Sequence, residues 1–160
     1  IQMPMQSAFI GWKQEPDEYL EHILGHDRLE KLNPIKTFRD NNIVVSFGSD
    51  APCTTPDPIV WMDRAVNNDN AGQAVSVQDA LRMCTYNGAW AAFDEQERGS
   101  LEAGKIADMA VLSENPYTVP KDKLSGLRVE RLYLGGKPYE SCRESILPMM
   151  LRGLTSRNKA

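Results

Sequence analysis

The sequence of 160 residues carries a formal net charge of −4, with 41% hydrophobic and 25% charged residues. That balance suits a folded domain with a core, and an acidic chain with no basic stripe interleaved with aromatics is not built to bind a phosphate backbone. Three cysteines, Cys53, Cys84 and Cys142, lie far apart and cannot all pair, which reads as free thiols in a reducing compartment; with no apolar run of membrane-spanning length and no charged-then-apolar leader, the chain reads as cytoplasmic.

In chain order, residues 1–5 read as a strand that Pro4 confines to an edge or an end. The chain starts at Ile1 inside that expected strand, so a preceding segment is expected. Residues 7–12 form a short apolar connector. Pro16, Asp17 and Glu18 open a helix with Tyr19, Leu20, Ile23 and Leu24 on one face, which Gly25 ends or bends. A turn follows through Leu29 and Leu32. Asn33 and Pro34 then read as a cap and first helical residue of a short helix to about residue 41. Residues 43–47 are an almost unbroken β-branched and aromatic run, the pattern of a parallel strand covered on both faces. That strand runs into Gly48, Ser49 and Asp50, and residues 51–58 form a loop stiffened by three prolines.

Asp57 and Pro58 then start a helix over residues 59–67, and residues 68–74 form a loop. Ser76, with Asp79 three residues on, caps a helix expected to run unbroken to about residue 92 with Val77, Ala80, Leu81, Cys84, Gly88, Ala91 and Ala92 on one face. These residues are mostly small, so a close-packed neighbour is expected. From Gly99 the pattern turns β-rich: residues 107–112 and 129–134 read as strands, with turns at Asn115-Pro116 and Gly135-Gly136. Residues 141–153 read as helical on either side of Pro148, and the basic tail from Arg152 as frayed.

Asp50 is the first candidate for chemistry, because a carboxylate at the carboxyl end of a parallel strand stands where α/β proteins collect ligands. Its alternative is to cap the following turn, and local sequence does not choose between the two. His22 and His26 have the i, i+4 spacing of metal ligands but flank Gly25 and lack a His-Glu-x-x-His pattern, so they read as solvated helix residues. Asp57 reads as a helix cap before a ligand. Cys53 could act as a nucleophile only beside a base, and both histidines lie on another helix. Trp61, Trp90 and the methionines read as core or interface, and Asp108 as structural.

Four segments keep a common order: Phe47-Gly48-Ser49-Asp50-Ala51-Pro52; Asp57-Pro58; Ser76-Val77 through Ala80-Leu81 to Thr85-x-Asn87-Gly88-Ala89; and Gly99-Ser100-Leu101-Glu102-x-Gly104-Lys105-x-Ala107-Asp108. Together they resemble the amidohydrolase superfamily, and within it the branch of metal-dependent hydrolases that includes the AepA-like proteins, over about residues 38–137. The resemblance implies an α/β fold: the C-terminal part of a (β/α)8 barrel, its last two strands and helices, over residues 1–98. Part of a small β-sandwich follows over residues 99–140, and a tail over 141–160. It implies that Asp50 is the eighth-strand metal ligand and proton-transfer residue. Gln6, Ser49 and Pro52 are its implied substrate contacts, although the segment around Gln2 and Pro4 departs from the branch's common Gln-Pro-x-His. The implied cofactor is a divalent metal, zinc, in a complete enzyme.

The implied reaction is metal-assisted hydrolysis of a C–N bond in a small-molecule substrate, with Asp50 taking the proton of the attacking water. The other ligands of that family's site have no counterpart here, and 160 residues fall short of the roughly 250 of a whole barrel. The isolated chain is therefore expected to be inactive. A different expectation is a non-catalytic module that associates with itself or needs a partner, because an incomplete barrel leaves strand edges and apolar helix faces open.

Overall fold

The computed structural model describes residues 1–11 and 15–139. The expected elements of residues 141–153, the tail, Trp12 and Cys142 lie outside the described residues. Two sheets form. In the first, β1 (Gln2–Met5) pairs in parallel with β2 (Val44–Phe47), from Gln2 opposite Val44 to Met5 opposite Phe47. The connection between them carries a 3-10 turn at Ser7–Phe9 and the helices α1 (Asp17–Leu24), α2 (His26–Leu29) and α3 (Ile35–Asp40). Gly25, at φ 76°, ends α1 in a conformation an L side chain rarely adopts. The start of α3 differs from expectation: Pro34 occupies the cap position and Asn33, at φ 50°, turns the chain ahead of it without a side-chain cap bond.

The α4 helix (Pro58–Val66) begins as its sequence dictates. Asp57 accepts the Ile59 N–H at 2.9 Å, and Pro58 sits where its missing N–H costs nothing. Ser76 starts α5 (Val77–Cys84) by accepting the Asp79 N–H at 3.1 Å and donating its hydroxyl to the Asp79 carboxylate at 2.6 Å. That carboxylate also pairs with Arg39 of α3. Burial pushes the Asp79 carboxyl up, but the hydrogen bonds from Ser76 and Arg39 outweigh it and hold the group below its ordinary range.

The unbroken helix expected to residue 92 is two helices. Thr85, at φ −124° and ψ −92°, separates α5 from α6 (Tyr86–Ala91), and its hydroxyl turns back to the Leu81 carbonyl at 2.8 Å. The break changes the buried face: after it Asn87 and Ala89 are buried, while Ala92 is exposed. Asn87 uses the new direction to donate to the Val45 carbonyl of β2 at 2.7 Å, inside the protein. The close approach in this region falls on Ala89 and not on the small face expected from the sequence: the backbone at Gly99, at φ 90°, would bring a Cβ within 2.6 Å of that of Ala89, whereas a Cβ at Gly88 would meet nothing within 4 Å.

The second sheet is antiparallel, in the order β3 (Met109–Leu112), β4 (Val129–Leu134), β5 (Lys137–Pro138). The strand expected from residue 107 begins at Met109, because Ala107 and Asp108 close the hairpin instead of entering the ladder. The Ala107 carbonyl accepts Gly136 N–H and the Asp108 carboxylate accepts Gly135 N–H, each at 2.8 Å. The core gathers β2 and the helices around Ile35, Val45, Met62, Ala65, Ala80 and Met83, and a 3-10 segment at Lys121–Gly126 adds Leu124, fully buried. Burying one such leucine stabilises the fold by about 1.5–3 kcal/mol. Asn67, the residue that ends α4, fastens that segment by donating its amide to the Lys121 carbonyl at 2.8 Å. Among the described residues no helix is long and apolar enough to cross a membrane.

Candidate functional site

The parallel pairing decides where the site lies. Because β1 and β2 run side by side and Gly48 N–H closes the ladder on the Met5 carbonyl at 3.0 Å, Gln6 and Gly48 leave the sheet at the same end. The loops after both strands therefore meet there. Between them and α4 opens a cavity of about 650 Å³, walled by the loop from Ala51 to Pro56, by Ala8 and Gly11, and by Val60 and Arg64.

Asp50 is exposed on the rim loop beside this cavity, in the left-handed region at φ 54°. The turn is closed without its carboxylate: the Ser49 hydroxyl accepts the Ala51 N–H at 3.1 Å, and the Asp50 backbone carbonyl accepts the Cys53 N–H at 2.9 Å. Thr54 then ties the loop back by donating its hydroxyl to the Ser49 carbonyl. The Asp50 carboxylate has no hydrogen-bond or ion-pair partner among the described residues. Left-handed backbone in a non-glycine residue is uncommon, and here it accompanies an open carboxylate at a strand end.

The other expected site residues are distributed around it. Pro52 forms part of the cavity wall through a cis peptide with Ala51. Ser49 is half-buried and engaged in holding the loop. Gln6 is exposed at the end of β1, where its carbonyl accepts the Phe9 N–H at 3.1 Å. Cys53 is an exposed thiol in the cavity wall. His22 and His26 are exposed on α1 and α2, and His26 faces Glu21 at 3.3 Å and Glu30 at 3.4 Å. Asp57 is occupied as the α4 cap, and Asp108 by Gly135 and Arg98. Trp61 is half-buried rather than core, its indole N–H donating to the Thr55 carbonyl at 3.1 Å.

Sequence reasoning passed over Arg64, the one cation of α4. Its guanidinium lies over Gly11, where a Cβ would come 2.8 Å from Nη1. A single positive residue on an otherwise apolar and acidic helix is the signal that marks it.

Zinc requires three or four ligands, and among the described residues no group of three or more His, Cys, Asp or Glu is placed to hold an ion. One open carboxylate does not fit a metal site by itself.

A model of the amidohydrolase family matches residues 1–139. The chain is 36% identical over 136 residues to an N-substituted formamide deformylase of Arthrobacter pascens, an alignment covering 81% of this chain and 23% of that protein. It is 30% identical over 100 residues to a 5-methylthioadenosine/S-adenosylhomocysteine deaminase of Thermoanaerobacter pseudethanolicus, covering 57% of this chain and 23% of that one. The fold is similar to that of an uncharacterized metal-dependent hydrolase from Pyrococcus furiosus at a TM-score of 0.57 and 27% identity, covering 67% of this chain and 22% of the other. The chain thus spans about a quarter of the length of these proteins. With the family model matching residues 1–139, the chain belongs to the amidohydrolase family.

Proposed function

We propose that this chain is the part of a C–N bond hydrolase that contributes the last two barrel strands, β1 and β2, and one working carboxylate, Asp50. Residues 99–140 are then the strands of an accompanying β-sandwich. The observation that carries the reading is the free state of Asp50: its loop is closed by Ser49 and by backbone, so the carboxylate is left open at the carboxyl end of a parallel strand, beside a cavity. The relatives named for deformylation and deamination support a substrate with a carbonyl- or amidine-type carbon bound to nitrogen.

In this reading Asp50 accepts a proton from the water that attacks that carbon and returns it to the departing nitrogen. Its open position at the rim lets one carboxylate serve both transfers. No step is routed through a metal, since the described donors do not make a site; a divalent ion belongs to the complete enzyme, with Asp50 as one ligand. The 160-residue chain alone is then inactive, and the outer edge of β2, where Asn87 covers the Val45 carbonyl, is where further strands of the barrel would pair.

The test compares Asp50→Asn with the parent in the whole protein that carries this chain, using N-substituted formamides and related amides. A fall in kcat of roughly 100-fold or more is expected. Activity within twofold of the parent refutes the assignment. Stoichiometric zinc in the isolated chain, with hydrolysis lost in Asp50→Ala, refutes its inertness.

A further inference from the structure

We propose that Arg64, seated on the backbone of Gly11, forms a carboxylate-binding subsite that selects substrates bearing an anionic group; the inference rests on the hydrolase reading and names its substrate class. Three observations carry it. Arg64 is half-buried in the cavity wall and has no hydrogen-bond or ion-pair partner among the described residues. The acids of α4 and its cap are occupied, Asp63 by the Asn67 amide at 2.9 Å and Asp57 by the Ile59 N–H at 2.9 Å. Among the described residues that line the cavity none is acidic, and Arg64 is the one that carries a charge.

The site is also shaped for the guanidinium. Gly11 has φ 78°, a backbone that favours glycine, and a Cβ there would meet Nη1 at 2.8 Å and Cζ at 3.3 Å, so a side chain would push the guanidinium aside. Resting on that backbone, the planar fork can present parallel N–H donors to a carboxylate, which a lysine cannot match. Thr55 lines the same cavity with a hydroxyl that has no partner among the described residues. A substrate held this way has its anionic end near α4 and its scissile bond toward the Asp50 rim.

The experiment uses the 160-residue chain and acetate as probe, at ionic strength held constant with sodium chloride, following the backbone amide signals of Gly11 and Thr55 by NMR. Saturable shifts are expected. Arg64→Gln should weaken the apparent affinity at least roughly 10-fold, and Arg64→Lys should fall between. Gly11→Ala, which displaces the fork while keeping the charge, should match Arg64→Gln. Non-saturating shifts, or saturation unchanged in Arg64→Gln, overturn the subsite. Tighter binding of inorganic phosphate than of acetate overturns the carboxylate assignment. Asp50→Asn should leave acetate binding untouched, so acetate saturation alongside hydrolysis that survives Asp50→Asn would retire the catalytic role of Asp50 and leave the subsite standing.

Discussion

The strand that positions Asp50 depends on a side chain in a different helix, and removing it has a calculable effect. Asn87 donates its amide to the Val45 carbonyl at 2.7 Å, and Val45 is only 1% exposed, so no water can take the amide's place. Asn87→Ala removes a hydrogen bond and strands a buried acceptor, which costs about 1–3 kcal/mol. At about 2 kcal/mol the thermal midpoint falls by roughly 4–8 °C for a chain of this size. With a urea slope of about 2 kcal/mol/M, the unfolding midpoint drops by about 1 M.

Asn87→Asp is the sharper test, since it keeps the shape and replaces the donor with oxygen. Ionised, it sets a carboxylate against a carbonyl in a buried site; protonated, it can donate to Val45 again. The folded-state pKa of the introduced Asp is therefore raised above its unfolded value. Its stabilising contact is present below the unfolded pKa of about 3.9 and is lost as pH rises toward the folded one. Urea titrations followed by circular dichroism should show Asn87→Asp closest to the parent near pH 4 and furthest from it at pH 8. Equal stability of parent, Asn87→Ala and Asn87→Asp at both pH values would refute the argument.

Two further outcomes follow from the packing. Gly99→Ala should destabilise by about 1–3 kcal/mol, because its Cβ would lie 2.6 Å from that of Ala89 and 3.1 Å from the Tyr86 Cα while the backbone holds φ 90°; a midpoint within about 0.5 kcal/mol of the parent would refute it. Burial pushes the Cys84 thiol from its ordinary 9.0 up to about 12. Its contribution to stability is therefore intact below pH 9 and declines as pH rises toward 12, where the unfolded thiol ionises and the folded one does not. Cys84→Ala should flatten that decline. In the native chain at neutral pH, iodoacetamide should modify the exposed Cys53 well before Cys84, read by peptide mass spectrometry; equal rates would contradict the burial.

Short-range chemistry was legible in the sequence. Asp57-Pro58 and Ser76-x-x-Asp79 start helices because an oxygen two or three residues before a free N–H can reach it in almost any context. The run ending at Phe47 is a strand for the same local reason, and Asp50 could be placed at its end before any coordinates. Whether Asp50 caps its turn was not legible, because Ser49 offers an equivalent acceptor one residue away and only the folded loop shows that Ser49 takes the bond.

The helix break at Thr85 was missed for a related cause. Helical periodicity continues through it, and what favours the break lies elsewhere, in a Val45 carbonyl 42 residues from Asn87 and in the Gly99 backbone against Ala89. Arg64 reads as an ordinary surface cation until Gly11 is brought beneath it and Asp57 and Asp63 are seen to be engaged. By itself, then, the sequence determined which stretches are strand and which helical, the caps at Asp57 and Ser76, and a carboxylate at a strand end. Tertiary structure alone decided which groups remain free, because a hydrogen bond or ion pair between distant residues exists only once the chain has closed on itself.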